Sequence, residues 1–169
     1  MATTHNVKQV DIYRHEGKDG IHWNRSPGEE ASQSWTAGTP LVEDGSTLEL
    51  EIDASAGSNK LVGFAANPSS GTAGTAVGYY EANPYNLFEM TLRNGASAIA
   101  LATTHLNTAY GLYITATANT YVDINNTTHK KVQVVGPAAG SAIGDTNARV
   151  IVRVLTDIQA KVGDVTAAS

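Results

Sequence analysis

The amino-acid sequence predicts an all-β fold, either a small antiparallel β-barrel or a sandwich, with an extended N-terminal arm. Apolar and polar side chains alternate in short runs rich in β-branched and aromatic residues, and Gly, Asn, Pro or Asp stands between the runs. No window keeps a convincing helical period of about 3.6 residues. Only residues 97–106 are compatible with a turn or two of helix. A parallel α/β fold is therefore disfavoured.

The alternation is clearest in residues 47–53, where Leu48, Leu50 and Ile52 share one face and acidic residues share the other. This is the pattern of a half-buried strand. The same pattern predicts six further strands, over residues 60–66, 87–93, 111–117, 120–124, 131–135 and 148–155. The residues between them supply positive φ, fixed φ or Asx turns. Strands at this spacing imply an antiparallel barrel or sandwich.

A long connection, residues 67–86, is rich in Gly, Ser, Thr and Asn. Connections of this length are usually functional or partly disordered. We expect an exposed loop, with one short strand near residues 77–81.

Three segments are expected along the chain. Residues 1–32 alternate little and predict an extended arm that contacts a partner, residues 33–160 form the β-domain, and residues 161–169 form a flexible tail. Ten of the 16 acidic residues lie at or before Asp53, so this end is expected either to meet a basic surface or to be solvated. The start lacks the apolar stretch of a signal peptide and no run is long enough to span a membrane, so synthesis in the cytoplasm without membrane insertion is expected.

The composition argues against several classes of partner. Charged residues make up 16% of the chain, below the roughly 25% that is typical, so much of the surface must be Thr, Ser, Asn, Gly and Ala. Such a surface costs little to desolvate, which suits a protein packed against neighbouring subunits. The net charge of −5 makes nucleic acid a poor partner. The absence of cysteine excludes a disulfide framework and a thiol nucleophile.

Motifs for catalysis and cofactor binding are missing. The sequence contains no nucleophile elbow, phosphate-binding P-loop, dinucleotide fingerprint or zinc-protease helix. None of the histidines has the helical spacing that directs two imidazoles at one metal. They are His5, His15, His22, His105 and His129. We therefore predict a protein that is not an enzyme, with no catalytic residues, cofactor or metal.

Two weaker patterns are similar to known kinds of site. Asp123, Asn125 and Thr127 are similar to the start of a calcium loop, but the glycine and glutamate of that loop are missing, which favours a turn after a strand. Glu81 and Glu89 have the chemistry of a glycosidase pair, which needs two carboxyl groups about 5–10 Å apart. Nothing in the sequence distinguishes them from a loop acid and an outward-facing strand residue.

Five aromatic residues are the candidate partner-contacting residues: Trp23, Trp35, Tyr79, Tyr80 and Tyr85. Aromatic residues next to Gly and Asn commonly anchor protein interfaces. They also stack on the C–H faces of sugars. Both interpretations stay open.

Several segments resemble a known family when they are taken in chain order. In residues 33–45 an aromatic residue and a glycine precede a hydrophobic strand and a turn, and in residues 61–66 a Gly-hydrophobic-Ala strand precedes a small-residue loop. In residues 81–90 a proline turn leads into Phe-Glu. The closing hairpins contain residues 110–112, 121–123 and 144–150. The pattern resembles the decoration proteins, also called cement or head-stabilising proteins, of bacteriophage capsids. The resemblance covers residues 33–155 and leaves out the arm.

This resemblance implies a small β-barrel, often a homotrimer, on the outer surface of the virion capsid. There it would bind the major capsid protein where capsomers meet and reinforce the shell against the pressure of the packaged DNA. The rival interpretation is a carbohydrate-binding or receptor-binding β-module of a phage fibre. A hydrolase with a scattered Ser, His and Asp site is a third possibility that no motif supports.

Overall fold

The structure is a computed structural model that describes residues 2–5, 11–14, 22–24, 28–44, 47–50, 61–83, 85–115 and 119–156. These residues form thirteen strands and one turn of 3₁₀ helix, Thr103–His105, and contain no α-helix. The all-β prediction is confirmed. The short helical turn falls inside the one stretch that the sequence allowed, residues 97–106.

Five strands close into a barrel. They are β8 (Leu87–Asn94), β10 (Ala109–Ile114), β11 (Thr120–Asp123), β12 (Val132–Pro137) and β13 (Arg149–Val154). The order around the barrel is β8, β11, β10, β12 and β13, and β13 pairs with β8 to close the ring. Only the β8–β11 pair is parallel. Closure matters because it pairs backbone groups that an open sheet would leave exposed at its edges.

Two short strands pair with β8 in addition to its partners in the barrel. The strand β1 (Asp11–Arg14) pairs with its first half, and β9 (Ser97–Ala98) pairs with its end as a tight hairpin. Gly95 in the hairpin turn has φ of 54°, a left-handed conformation that glycine adopts without strain. The sequence pair Asn94-Gly95 is therefore a turn, as the sequence predicts.

A second sheet packs against the barrel. In spatial order its six strands are β2 (His22–Asn24), β7 (Val77–Glu81), β6 (Leu61–Ala65), β4 (Pro40–Asp44), β5 (Thr47–Leu50) and β3 (Gly28–Glu29). Neighbours are antiparallel except for β3 and β5. The predicted strand at residues 77–81 is confirmed.

Both faces of β6 are buried, and a bulge determines which of its side chains share a face. Leu41 pairs with Gly63 and Val42 with Leu61, so Val62 is an extra residue. Leu61 and Phe64 consequently pack towards the barrel. At Gly63 a Cβ atom would overlap the carbonyl oxygen of Tyr80, so the close approach of β6 and β7 requires glycine.

The main core joins the barrel and the second sheet. The inward residues of β8, namely Phe88, Met90 and Leu92, are fully buried. The ring of Phe64 from the second sheet lies 4.5 Å from that of Phe88, measured between centroids. Because one cluster contains residues of both sheets, the two sheets stabilise each other by burying a shared apolar surface.

A smaller core cluster lies on the opposite face of the second sheet. Its members are Trp35, Leu41, Val62, Ala65, Val77 and Tyr79. The second sheet is therefore apolar on both faces around β6, and all five residues of Leu61–Ala65 are buried; the strand predicted over residues 60–66 is present, but it is buried on both faces and not on one.

The described parts of the predicted arm are extended, and they pair with the chain's own sheets. Strand β1 pairs with β8, β2 with β7 and β3 with β5. The described parts of the arm therefore lie against the chain's own sheets. Contact of the arm with a partner stays a prediction. The tail, residues 161–169, lies outside the described residues.

Candidate contact surface

The five candidate aromatic residues do not share one surface. Trp35 and Tyr79 are 3% and 4% exposed and belong to the smaller core cluster. The indole Nε1 of Trp35 donates to the carbonyl oxygen of Asn67 at 3.2 Å. The prediction that these two residues contact a partner is corrected here: both stabilise the protein's own core.

The other three residues differ from one another. Tyr80 is half-buried and packs against the main core. Tyr85 is 63% exposed, in the turn before β8. The backbone of Trp23 pairs with Gly78, and its side chain lies outside the description. Of the aromatic side chains that the structure describes, Tyr85 is the one with a largely free ring, and its contact with a partner stays a prediction.

The first half of the predicted connection, residues 67–76, is an exposed loop, called here the Glu29 loop. It contains no charged residue, and most of its members are exposed. The loop is nevertheless fixed at its base. The backbone N–H of Trp35 donates to Ser69 Oγ at 2.9 Å, and the N–H of Ser69 donates back to the Trp35 carbonyl at 3.1 Å.

A buried carboxylate organises the centre of this loop. Glu29 is 1% exposed. Its Oε2 accepts from the N–H and the hydroxyl of Ser70 at 2.8 and 2.9 Å, and its Oε1 accepts from the N–H of Gly71 at 2.5 Å. Buried acids require such donors, because an unpaired carboxylate would lose its hydration without compensation.

Backbone hydrogen bonds hold the far side of the Glu29 loop. The N–H of Glu29 donates to the Thr75 carbonyl at 2.9 Å, and the N–H of Gly74 donates to the Glu29 carbonyl at 2.8 Å. Gly28 lies so close to the loop that a Cβ atom on it would come within 2.8 Å of the Gly74 backbone. The loop is thus ordered by contacts and not by its own sequence, which is rich in Gly and Ser.

A cavity of about 40 Å³ lies beneath the loop. Glu29, Trp35, Asn67, Ser70 and Thr75 are among the residues that line it. This volume has room for a water molecule or two. It is far smaller than the roughly 300 Å³ or more of a typical small-molecule site.

The connection between β12 and β13, residues 138–148, is called here the Asp145 loop. Ala139, Gly140 and Ala142 are exposed, and Ile143 at its tip is 46% exposed. Asp145 is the one charged residue in the loop, and it is 4% exposed. The exposed part of this loop is therefore uncharged as well.

Asp145 is buried and joins its own loop to residues 2–5. Its carboxylate accepts from the N–H of Ala142 at 2.9 Å and from the N–H of Thr3 at 2.6 Å, and it lies 2.8 Å from Nε2 of His5. The hydrogen bond with His5, followed by the one from Thr3, lowers the pKa of Asp145 to about 2. The carboxylate is thereby held ionised in the folded protein.

The carboxyl groups weighed as a glycosidase pair belong to separate networks. Glu89 accepts from Nε of Arg149 at 2.8 Å, and the pair joins β8 to β13. Glu81 accepts from Nδ2 of Asn83 at 3.0 Å. Each carboxylate is engaged in holding local structure.

The segment compared with a calcium loop is a turn, as predicted. Asp123 accepts from the N–H groups of Gly95 and Asn125 at 2.7 and 3.0 Å, which ties the β8–β9 hairpin to the end of β11.

The histidine side chains that the structure describes are those of His5, His105 and His129. Nδ1 of His105 accepts from the N–H of Ala102, and burial lowers the pKa of His105. His129 is half-buried, and His15 lies outside the described residues. Within the described ranges, no three His, Asp or Glu side chains are grouped so that they could hold a metal ion.

Comparison with known proteins gave no relative: no protein-family model, curated protein or solved structure matches this chain. In the part of the chain that the structure describes, no helix has both the length and the hydropathy needed to span a membrane.

Proposed function

We propose that this chain is a non-enzymatic structural protein of a bacteriophage virion. It decorates the outer surface of the capsid as a homo-oligomer, with a trimer favoured. It binds the major capsid protein at the junctions between capsomers and stabilises the assembled shell. The sequence resemblance over residues 33–155 supports this role.

The observation that carries the proposal is the pair of exposed, uncharged and anchored loops. The Glu29 loop is held by Glu29 and Trp35, and the Asp145 loop is held by Asp145. Binding through an anchored loop loses little conformational entropy, because the loop is already ordered. Binding through uncharged side chains also avoids the large cost of desolvating ions.

The body behind the loops suits a protein that reinforces an assembly. The barrel and the second sheet share one core, so a force on a loop is transmitted to a densely packed interior. A ligand that binds only the assembled shell shifts the equilibrium towards assembly. Many copies on one shell multiply this effect.

Charged substitutions at the loop tips test the proposal. We expect Ala73→Glu in the Glu29 loop and Ile143→Glu in the Asp145 loop to weaken binding to shells that lack the protein. Each change places an ion in the contact, and a loss of about tenfold or more is expected. Thr127→Glu is the matched control, because Thr127 is exposed but lies in the turn after β11.

Binding is measured by co-sedimentation with purified shells, and thermal unfolding verifies that each variant is folded. Wild-type binding by all three variants would contradict the proposed contact surface. Equal resistance of shells to heat and osmotic shock, with and without the protein, would contradict the stabilising role.

The exposed ring of Tyr85 favours a second candidate, the carbohydrate-binding or receptor-binding module of a phage fibre. An aromatic groove would support this role more strongly, but Trp35 and Tyr79 lie in the core. The fibre module predicts binding on a glycan array that Tyr85→Ala abolishes. Immunogold labelling with an antibody against this chain distinguishes the two roles, because a decoration protein would be labelled on the head of the virion and a fibre module on the fibre.

A further inference from the structure

The turn of the β8–β9 hairpin contains the single Asn-Gly pair of the sequence, Asn94-Gly95. Asn94 pairs with Ser97, and Gly95 and Ala96 form the turn between them. Asn94 and Ala96 are exposed to solvent. Because glycine has no Cβ atom, its backbone nitrogen is not shielded by a side chain. The turn therefore places an unshielded backbone nitrogen next to the amide group of an exposed asparagine.

A buried carboxylate holds this nitrogen. Asp123 is 8% exposed, and its Oδ1 accepts from the N–H of Gly95 at 2.7 Å. The same oxygen accepts from the N–H of Asn125 at 3.0 Å, which fixes the carboxylate at the end of β11. A hydrogen bond to a carboxylate stabilises the N–H group with its proton in place, and the adjacent negative charge opposes loss of that proton. The Gly95 nitrogen is consequently a poor nucleophile while this bond is intact.

The strand geometry of Asn94 is a second restraint. Asn94 is the last residue of β8 and pairs with Ser97, and the guanidinium of Arg93 donates to the Ala96 carbonyl. Residues in antiparallel strands have ψ of about +135°. At such an angle the Cβ of Asn94 is rotated away from the Gly95 nitrogen, whereas a bond between the side chain and this nitrogen requires the two atoms to be nearly eclipsed. The hairpin must therefore open locally before that bond can form.

We infer that Asn94 is a deamidation site and that the Asp123 carboxylate sets the rate of its conversion. In the reaction the Gly95 nitrogen attacks Cγ of Asn94. An N–Cγ bond forms, the Cγ–Nδ2 bond breaks, and ammonia leaves with the proton of the Gly95 N–H. Solvent water then opens the five-membered succinimide ring at either carbonyl, which gives aspartate or isoaspartate.

Either product changes the hairpin permanently. Isoaspartate adds a methylene group to the backbone, which disrupts the pairing with Ser97. Aspartate adds a negative charge beside the N–H group that Asp123 binds. The hairpin is joined to the Asp145 loop, because the Ile99 carbonyl accepts from the N–H of Asn147 at 3.1 Å. The inference does not depend on the proposed function, since it concerns the covalent chemistry of one residue within a single chain.

Incubation of the full chain at mildly alkaline pH, followed by peptide mapping with mass spectrometry, tests the inference. Asp123→Ala removes the acceptor of the Gly95 N–H. We expect Asn94 to convert about ten times faster in this variant than in wild type, the factor that corresponds to the loss of one hydrogen bond to a charged group. Asn107 is the internal control, because it is exposed but is followed by Thr108, and its conversion rate stays constant.

A conservative variant separates the charge of Asp123 from its hydrogen bond. Asp123→Asn keeps an acceptor without the charge, so the conversion rate of Asn94 lies between those of wild type and Asp123→Ala. In urea, wild type and both variants convert Asn94 at one rate, because the contact with Gly95 is lost in all three. Thermal unfolding verifies that each variant is folded without urea.

Equal rates at Asn94 in folded wild type and Asp123→Ala would overturn the inference. Equal acceleration of Asn94 and Asn107 would also overturn it, because unfolding of the whole chain would then set the rate. A wild-type rate in Asp123→Asn would overturn the role of the carboxylate, because any acceptor of the Gly95 N–H would then suffice.

Discussion

The Glu29 loop and the Asp145 loop are both held by a buried carboxylate, but the two carboxylates bind different partners. Glu29 lies outside its loop, on β3, and accepts from neutral groups of Ser70 and Gly71. Asp145 belongs to its own loop and contacts the titratable ring of His5. The comparison shows that a buried carboxylate can hold a loop either through donors within that loop or through contacts with a segment distant in the sequence.

Both loops are attached to the same packed barrel and second sheet. A substitution in the main core is therefore expected to lower the free energy of unfolding more than a substitution in either loop. Phe64→Ala removes the ring that contacts Phe88 and leaves a cavity between the sheets. We expect a loss of about 3–5 kcal/mol in the free energy of unfolding. Urea denaturation followed by Trp fluorescence and by circular dichroism measures it. Coincident transitions are expected, because both sheets depend on one core, and separate transitions would contradict this.

Removal of the Glu29 carboxylate is expected to have the next largest effect. Glu29→Ala leaves the amide groups of Ser70 and Gly71 without their acceptor, for a loss of about 2–4 kcal/mol. Glu30→Ala is the matched control, because the Glu30 carboxylate is half-buried and accepts from Gln33. We expect the control to lose less than about 0.5–1 kcal/mol. Equal losses in the two variants would show that Glu29 does not anchor its loop.

Removal of the charge on Asp145 is expected to have a smaller effect that depends on pH. The pKa of Asp145 is lowered to about 2 in the folded protein, below the ordinary value near 3.9. The unfolded state therefore binds the proton more tightly, and the stabilisation is complete above about pH 4 and is lost as the pH falls through about 2.

Denaturation of wild type and Asp145→Asn between pH 2 and pH 6 measures this effect. The stability difference should be largest near pH 5 and should shrink in acid. A difference that stays constant across the range would mean that Asp145 acts through its shape and not through its charge.

Individual strands were predictable because the residues that specify a strand and its turns are neighbours in the sequence. A short strand was predicted near residues 77–81, where the structure has Val77–Glu81, and Leu87–Asn94 differs by one residue from its prediction. In Leu87–Asn94 the alternation and the adjacent turn residues are visible in a short window. The closure of the barrel was harder to predict from the sequence, because the parallel pair β8–β11 and the closing pair β8–β13 join strands that are distant in the sequence.

The residues that shape the candidate surface were not predicted, for the same reason. Glu29 and the N–H of Ser70 are 41 positions apart, and Asp145 and the N–H of Thr3 are 142 positions apart. No local pattern connects such partners. A faint signal exists, since Asp145 is the single acid in an uncharged run, and such a residue is a candidate for burial. Trp35 and Tyr79 were misassigned because a sequence does not show which face of a sheet is covered.

The central claim is that anchored, uncharged loops bind the capsid and stabilise it. Thermal release of DNA from virions that carry the chain and from virions that lack it tests this claim most directly. We predict release at a lower temperature without the chain, recovery when purified protein is added back, and no effect of raising the salt from roughly 50 to 500 mM during the addition. Identical release temperatures, or rescue that occurs only at low salt, would contradict the account.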